Sequence, residues 1–131
     1  MFKDSSLIAF VGVSELGRAQ SFYGNVLGLE IVAVDDFAIV ARASGTTLRI
    51  TKVPKVVPAA YTVLGFAVTG LEGKIDALAA KGVAFERYPF LGELQNRKGI
   101  WQAPSGHRVA LFKDPDGNVL SLSEIEVGDR R

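Results

Sequence analysis

One order of segments occurs twice in this chain, and any fold must accommodate both copies. Leu7-Ile8-Ala9-Phe10-Val11-Gly12-Val13 is a short apolar run of the kind that makes a buried strand. Leu16, Ala19, Phe22, Tyr23 and Val26 then follow at helical spacing, with Ser14 placed to cap the helix and Gly28 to stop it. Thr62 to Val68 reads as a second such strand. Thr69 or Gly70 opens a second helix, which carries Leu71, Ile75, Leu78 and Ala79 on one face and ends at Gly82. Val13-Ser14-Glu15-Leu16 and Val68-Thr69-Gly70-Leu71 are the matching junctions.

Strand-like segments follow each helix. The first set is Glu30 to Val34, Phe37 to Ala41 and Thr46 to Thr51. The second is Val83 to Tyr88, Gly99 to Ala103, His107 to Lys113 and Val119 to Ser123. Asp35-Asp36, Ser44-Gly45 and Ser105-Gly106 read as turns between them. Asp114-Pro115-Asp116-Gly117-Asn118 is a turn by residue chemistry: Pro fixes φ, Asp caps locally and Gly tolerates positive φ. Lys52 to Ala60 carries two prolines and links the halves, while the polar stretch Phe90 to Lys98 predicts a mobile loop. A β-α-β-β-β unit used twice therefore organises the chain. Residues 1–131 form a single domain, with one module over about 5–53 and the next over about 60–126. Such a repeat implies pseudo-symmetry and a cleft where the sheets meet.

Composition excludes several classes of function. A length of 131 residues with 48% hydrophobic content suits one globular domain. The net charge is +1, from 15 basic and 14 acidic residues, so neither nucleic acid nor membrane is an expected partner. Terminal Arg130-Arg131 reads as a solvated tail. With no cysteine, disulfides, zinc-thiolate sites and Cys nucleophiles are ruled out, which fits a cytoplasmic protein. The apolar run from Leu7 to Val13 is too short to span a membrane and lacks signal-peptide flanks.

Taken together, Val13-Ser14-Glu15-Leu16, Ala19-Gln20-Ser21-Phe22-Tyr23, Val26-Leu27-Gly28-Leu29 and the Asp114 to Asn118 turn resemble the vicinal-oxygen-chelate superfamily. That superfamily includes glyoxalase I, extradiol dioxygenases and bleomycin-resistance proteins. The resemblance implies an α+β fold in which two β-α-β-β-β modules form a curved mixed sheet around a pocket, with helices on the outer face. It also implies a metal held by His or Glu, with one ligand from the first and last strand of each module. Those positions match Ile8, Arg49, Val63 and Ser121. Ile and Val carry no donor, Arg49 is a cation and Ser121 is a weak ligand alone. Neither first strand contains His, Glu or Asp, and the chain has one histidine, so no metal and no cofactor are expected. If the register is shifted, Glu124 is the candidate donor; it and Glu126 are expected past the strand end, in solvent.

Strand alternation then predicts the pocket lining. Ile8 brings Phe10 and Gly12 to its face, Arg49 brings Thr47 and Thr51, and Ser121 brings Val119 and Ser123. Pairing Trp101 with Ala110, and Ala110 with Ser121, adds Arg108 and Phe112. The candidate ligand-binding residues are thus Phe10, Arg49, Trp101, Arg108, Phe112 and Ser121. This aromatic wall with two guanidinium groups suits a small, partly apolar, anionic ligand. Plainer readings stand beside it. Trp101 also fits core, Arg49 an ion pair with Asp36 or Glu30, Arg108 a solvated sheet edge, and His107 a surface turn. The Phe22-Tyr23 pair fits helix-face core with the Tyr23 hydroxyl near the surface. The expected function is metal-free small-molecule binding, similar to the antibiotic-sequestering bleomycin-resistance proteins, in a homodimer. The alternative is a glyoxalase- or dioxygenase-like enzyme, with a displaced metal or acid-base chemistry from His107, Glu124 or Tyr61. A structural or regulatory domain with a filled cleft is a third reading.

Overall fold

The computed structural model describes residues 1–125. Two compact units divide the chain, Met1–Pro58 and the residues from Ala59 onward. The first contains β1 (Ile8–Val13), α1 (Leu16–Gln20), π-helical turns over Ser21–Val26, β2 (Glu30–Val34), β3 (Ala38–Ala43) and β4 (Thr46–Lys52). Its four strands lie in the order β1-β4-β3-β2. β1 runs parallel to β4, and the other pairs are antiparallel. Alternation divides this sheet. Val11, Val13, Leu48, Ile50, Ile39 and Ala41 are buried on one face, and the helix brings buried Ala19, Phe22 and Tyr23. Ala38 is the buried exception on the other face. The first turn departs from expectation. Glu15, not Ser14, is the N-cap residue, and Ser14 Oγ instead accepts a bond from Arg18 Nη2 at 2.9 Å. Tyr23 also lies deeper than expected, fully buried and edge-on to Phe22 with ring centroids 5.2 Å apart. The Leu27 N–H donates to Phe22 O at 2.9 Å, a five-residue step that shifts residues after Gln20 off a regular 3.6-residue period.

The second unit repeats the plan with β5 (Leu64–Ala67), α2 (Leu71–Ala80), β6 (Trp101–Gln102), β7 (Arg108–Lys113) and β8 (Val119–Glu124). Its strand order is β5-β8-β7-β6, with β5 parallel to β8 and the rest antiparallel. Leu120, Leu122, Ala110 and Phe112 are buried, as are Leu71, Ile75 and Leu78 of α2. The two units thus give an α+β fold of two four-stranded mixed sheets, each with its helix. No helix among the described residues is long and apolar enough to cross a membrane.

The expected strand over Val83 to Tyr88 does not form. Phe85 makes only an isolated bridge to Phe112, and the Glu86 N–H donates to Leu111 O at 2.7 Å. Buried Gln95 takes over the remaining backbone groups. Its Oε1 accepts the Tyr88 N–H at 2.7 Å, and its Nε2 donates to Glu86 O and Gly99 O, each at 3.1 Å. Arg87 reaches the same segment through Asn96 O at 2.7 Å and Gln95 O at 3.2 Å. The stretch from Phe90 to Lys98, expected from its polar composition to be a mobile loop, is hydrogen-bonded into the unit. One amide here satisfies groups that a ladder would otherwise pair.

The Asp114 to Asn118 turn matches its chemistry. Asp114 is buried; its Oδ1 accepts the N–H groups of Asp116 and Asn118 at 2.9 Å each, and its Oδ2 accepts Asn118 Nδ2 at 2.8 Å. Gly117 takes φ 89°, the left-handed region that glycine enters without steric cost. This turn pairs Lys113 with Val119 and so fixes the register of β7 against β8.

Candidate ligand-binding face

In the first unit, three cross-strand rows lie on the sheet face opposite the buried one. Ile8, Thr47 and Arg42 form one row, and Phe10, Arg49 and Val40 the next. Gly12, Thr51 and Ala38 complete the set. Directly paired residues share a face, so the grouping of Ile8, Phe10 and Gly12 with Thr47, Arg49 and Thr51 holds. Phe10 is 63% exposed and Ile8 55% exposed, while Arg49 is half-buried between Phe10 and Val40. Arg49 makes no hydrogen bond or ion pair among the described residues, so neither Asp36 nor Glu30 holds it. Its charge does reach Asp35, whose carboxyl is held below the usual range chiefly by the N–H groups of Phe37 and Ala38. Those N–H groups donate to Asp35 Oδ1 at 2.7 and 2.9 Å. That carboxylate therefore closes the β2–β3 turn rather than gripping the guanidinium.

In the second unit the equivalent face is different from the one expected. Trp101 pairs with Val109, Val109 with Ser123, and Leu111 with Ser121. The expected partner of both Trp101 and Ser121 was Ala110, which instead pairs with Leu122. A register change of one residue sends each side chain to the other face. Trp101, Val109, Leu111, Ser121 and Ser123 therefore share a face with Gly65 and Ala67, while Arg108 and Phe112 go to the opposite side. Phe112 is wholly buried against Phe85, with ring centroids 5.4 Å apart, and is core. Ser121 is buried where β8 crosses Gly65; a Cβ at Gly65 would stand 2.7 Å from Ser121 Oγ. At this crossing glycine makes room for the serine hydroxyl. A cavity of about 340 Å³ at the end of β5 is lined by Ala67, Val68, Thr69 and Ile125, which bring no charge to it.

Arg108 has a structural task in the second unit. Its Nη1 donates to Glu124 Oε1 at 2.8 Å and to Glu72 Oε1 at 3.3 Å, and its Nη2 pairs with Glu72 Oε2. Glu124 Oε2 accepts the Leu71 N–H at 3.1 Å, at the first turn of α2. Gly70, the N-cap residue, has no side chain to do this. Glu124, expected in solvent past the strand, is thus the last residue of β8 and caps a helix remote in sequence. The Leu71 N–H, followed by Arg108, holds its carboxyl below the usual range. Arg108 likewise lowers Glu72, and the carboxylates hold the guanidinium above its ordinary value. Both oxygens of Glu124 are engaged in this clamp; Glu126 lies outside the described residues. Among the acid-base candidates, Tyr61 is 68% exposed and His107 is half-buried in the β6–β7 turn, its carbonyl accepting the Ala103 N–H at 2.7 Å.

The four side chains that the resemblance matches to metal-ligand positions do not fit a metal. Ile8 and Val63 lack donors, Arg49 is cationic and Ser121 is neutral. Among the described residues no three His, Asp or Glu side chains converge. A family model described as the glyoxalase/bleomycin resistance protein/dioxygenase superfamily matches residues 7–122, from the start of the first repeat to the closing strand. The chain belongs to that superfamily. Solved members and relatives share its fold. One from Sphaerobacter thermophilus, described by the same superfamily name, has 23% identity and a TM-score of 0.74, covering 95% of this chain and 100% of its own. A glyoxalase family protein from Enterococcus faecalis has 20% identity and a TM-score of 0.74, over 95% and 100% of the two chains. A lactoylglutathione lyase from Agrobacterium tumefaciens has 16% identity and a TM-score of 0.71, over 92% and 93%. A search of curated protein sequences found no match.

Proposed function

We propose that this superfamily member binds small, partly apolar, anionic molecules without a metal, in the manner of the drug-sequestering bleomycin-resistance proteins. The observation that carries this reading is Arg49. A half-buried guanidinium with no hydrogen bond or ion pair among the described residues stands directly beside exposed Phe10. Leaving a partly desolvated cation without a partner is unfavourable, so an anion supplied from outside gains at this point. Phe10 and Ile8 offer apolar area to the rest of the ligand. In the second sheet Trp101 and Ser121 share a face of their own, whereas Arg108 and Phe112 leave the proposed set because they face α2 or the core.

The reading is tested by ligand-dependent thermal shift on purified protein whose metal content has been measured. A ligand at about 100 times its Kd is expected to stabilise by roughly 2.7 kcal/mol. Acidic aromatics should shift the melt, and Arg49→Gln should abolish the shift. Stoichiometric zinc, iron or manganese in the purified protein would overturn metal-free binding. A flat response to acids, antibiotics and thiol conjugates would favour a structural role.

A further inference from the structure

Arg49 does not stand alone on its face. Arg42 pairs with Thr47, and Arg49 pairs with Val40, so the two arginines occupy diagonal positions across β3 and β4. Diagonal neighbours lie about 7–8 Å apart at Cα, within reach of long side chains, and like charges there repel. The ordinary remedy is a carboxylate between them. Glu30 sits directly across from Arg42, yet neither Arg42 nor Arg49 makes an ion pair among the described residues. Asp35, the carboxylate that feels Arg49, has its Oδ1 engaged by two backbone N–H groups. Thr47 lies on the same face, beside Arg42 and two residues from Arg49, and can donate a hydroxyl. Ile8 and Phe10 on β1 border the group on its apolar side.

We propose that this face holds a doubly charged phosphoryl head group, that of a phosphate monoester or phosphonate, between Arg42 and Arg49. The Thr47 hydroxyl donates to it, and the ligand's apolar group covers Ile8 and Phe10. The inference rests on the anion-binding reading above and narrows it, because a monocarboxylate needs only Arg49. Two guanidinium forks match the several oxygens of a phosphoryl group better than the two of a carboxylate.

Calorimetric titration of the whole chain with phenyl phosphate and with benzoate, at equal ionic strength and about pH 7.5, tests this. Phenyl phosphate is expected to bind at least about tenfold tighter than benzoate. Arg42→Gln is expected to weaken phenyl phosphate far more than benzoate, collapsing the preference, while Glu30→Gln strengthens phenyl phosphate by removing a competing carboxylate. Lowering the pH to about 5, where the phosphate loses its second charge, should shrink the preference as well. Equal affinity for the two ligands in the unmodified protein sinks the phosphoryl inference and leaves the anion reading standing. A preference that survives Arg42→Gln in a variant with native circular dichroism also sinks it. If neither ligand binds, both readings fall.

Discussion

Gly65 and Ser121 show how closely single residues determine the second sheet. A Cβ at Gly65 would meet Ser121 Oγ at 2.7 Å, so Gly65→Ala is expected to destabilise by about 1–3 kcal/mol in denaturant titration. In a Ser121→Ala background the same change should cost less than about 1 kcal/mol, because the clashing oxygen is gone. Equal costs in both backgrounds would contradict the contact. Sequence reasoning placed Ser121 correctly on the face of Val119 and Ser123, since that needs only strand alternation. It did not find Gly65 as its neighbour, because cross-strand proximity depends on register. The same limit explains Arg108 and Phe112. Their assignment required the β7–β8 pairing, and the five-residue Asp114 to Asn118 turn sets it one residue from the expected register.

Elements were legible where local chemistry decides them. The eight apolar or alternating segments that became regular strands, the two helices and the aspartate turn all carry signals within a few residues of themselves. What local chemistry could not show was long-range polar anchoring. Gln95 replaces a strand ladder for Glu86, Tyr88 and Gly99, and Glu124 caps α2 from 53 residues away. Gln95→Ala is expected to cost about 2–3 kcal/mol, since it strands several backbone groups. Protease cleavage within residues 89–99 should accelerate in that variant. The Glu124 cap has a pH signature. Its carboxyl and that of Glu72 are both held below the ordinary value of 4.5, so their contribution is present above that value. It is lost as pH falls through the lower native values. Melting temperature should therefore fall on acidification below about pH 4.5, and less steeply in a Glu72→Gln, Glu124→Gln double variant. Parallel acid profiles would remove the clamp from the account.

At the scale of the molecule, the duplicated order of segments, with the Phe22-Tyr23, Leu27-Gly28-Leu29 and Asp114 to Asn118 motifs, was enough to reach the superfamily, which the match over residues 7–122 establishes. The repeat specifies a scaffold, and the residues on each sheet face determine what that face can hold. Half-buried Arg49 makes no hydrogen bond or ion pair among the described residues, so the proposed chemistry is anion capture. Such binding should weaken with added salt, since Arg49 is only partly screened from solvent. The most direct measurement is a titration of EDTA-treated protein with benzoate and with its neutral analogue benzamide. Benzoate should bind at least about tenfold tighter, a difference of about 1.4 kcal/mol, and Arg49→Gln should erase the difference. Equally weak binding of the two, or benzoate binding that appears only after zinc, iron or manganese is restored, would contradict metal-free anion recognition.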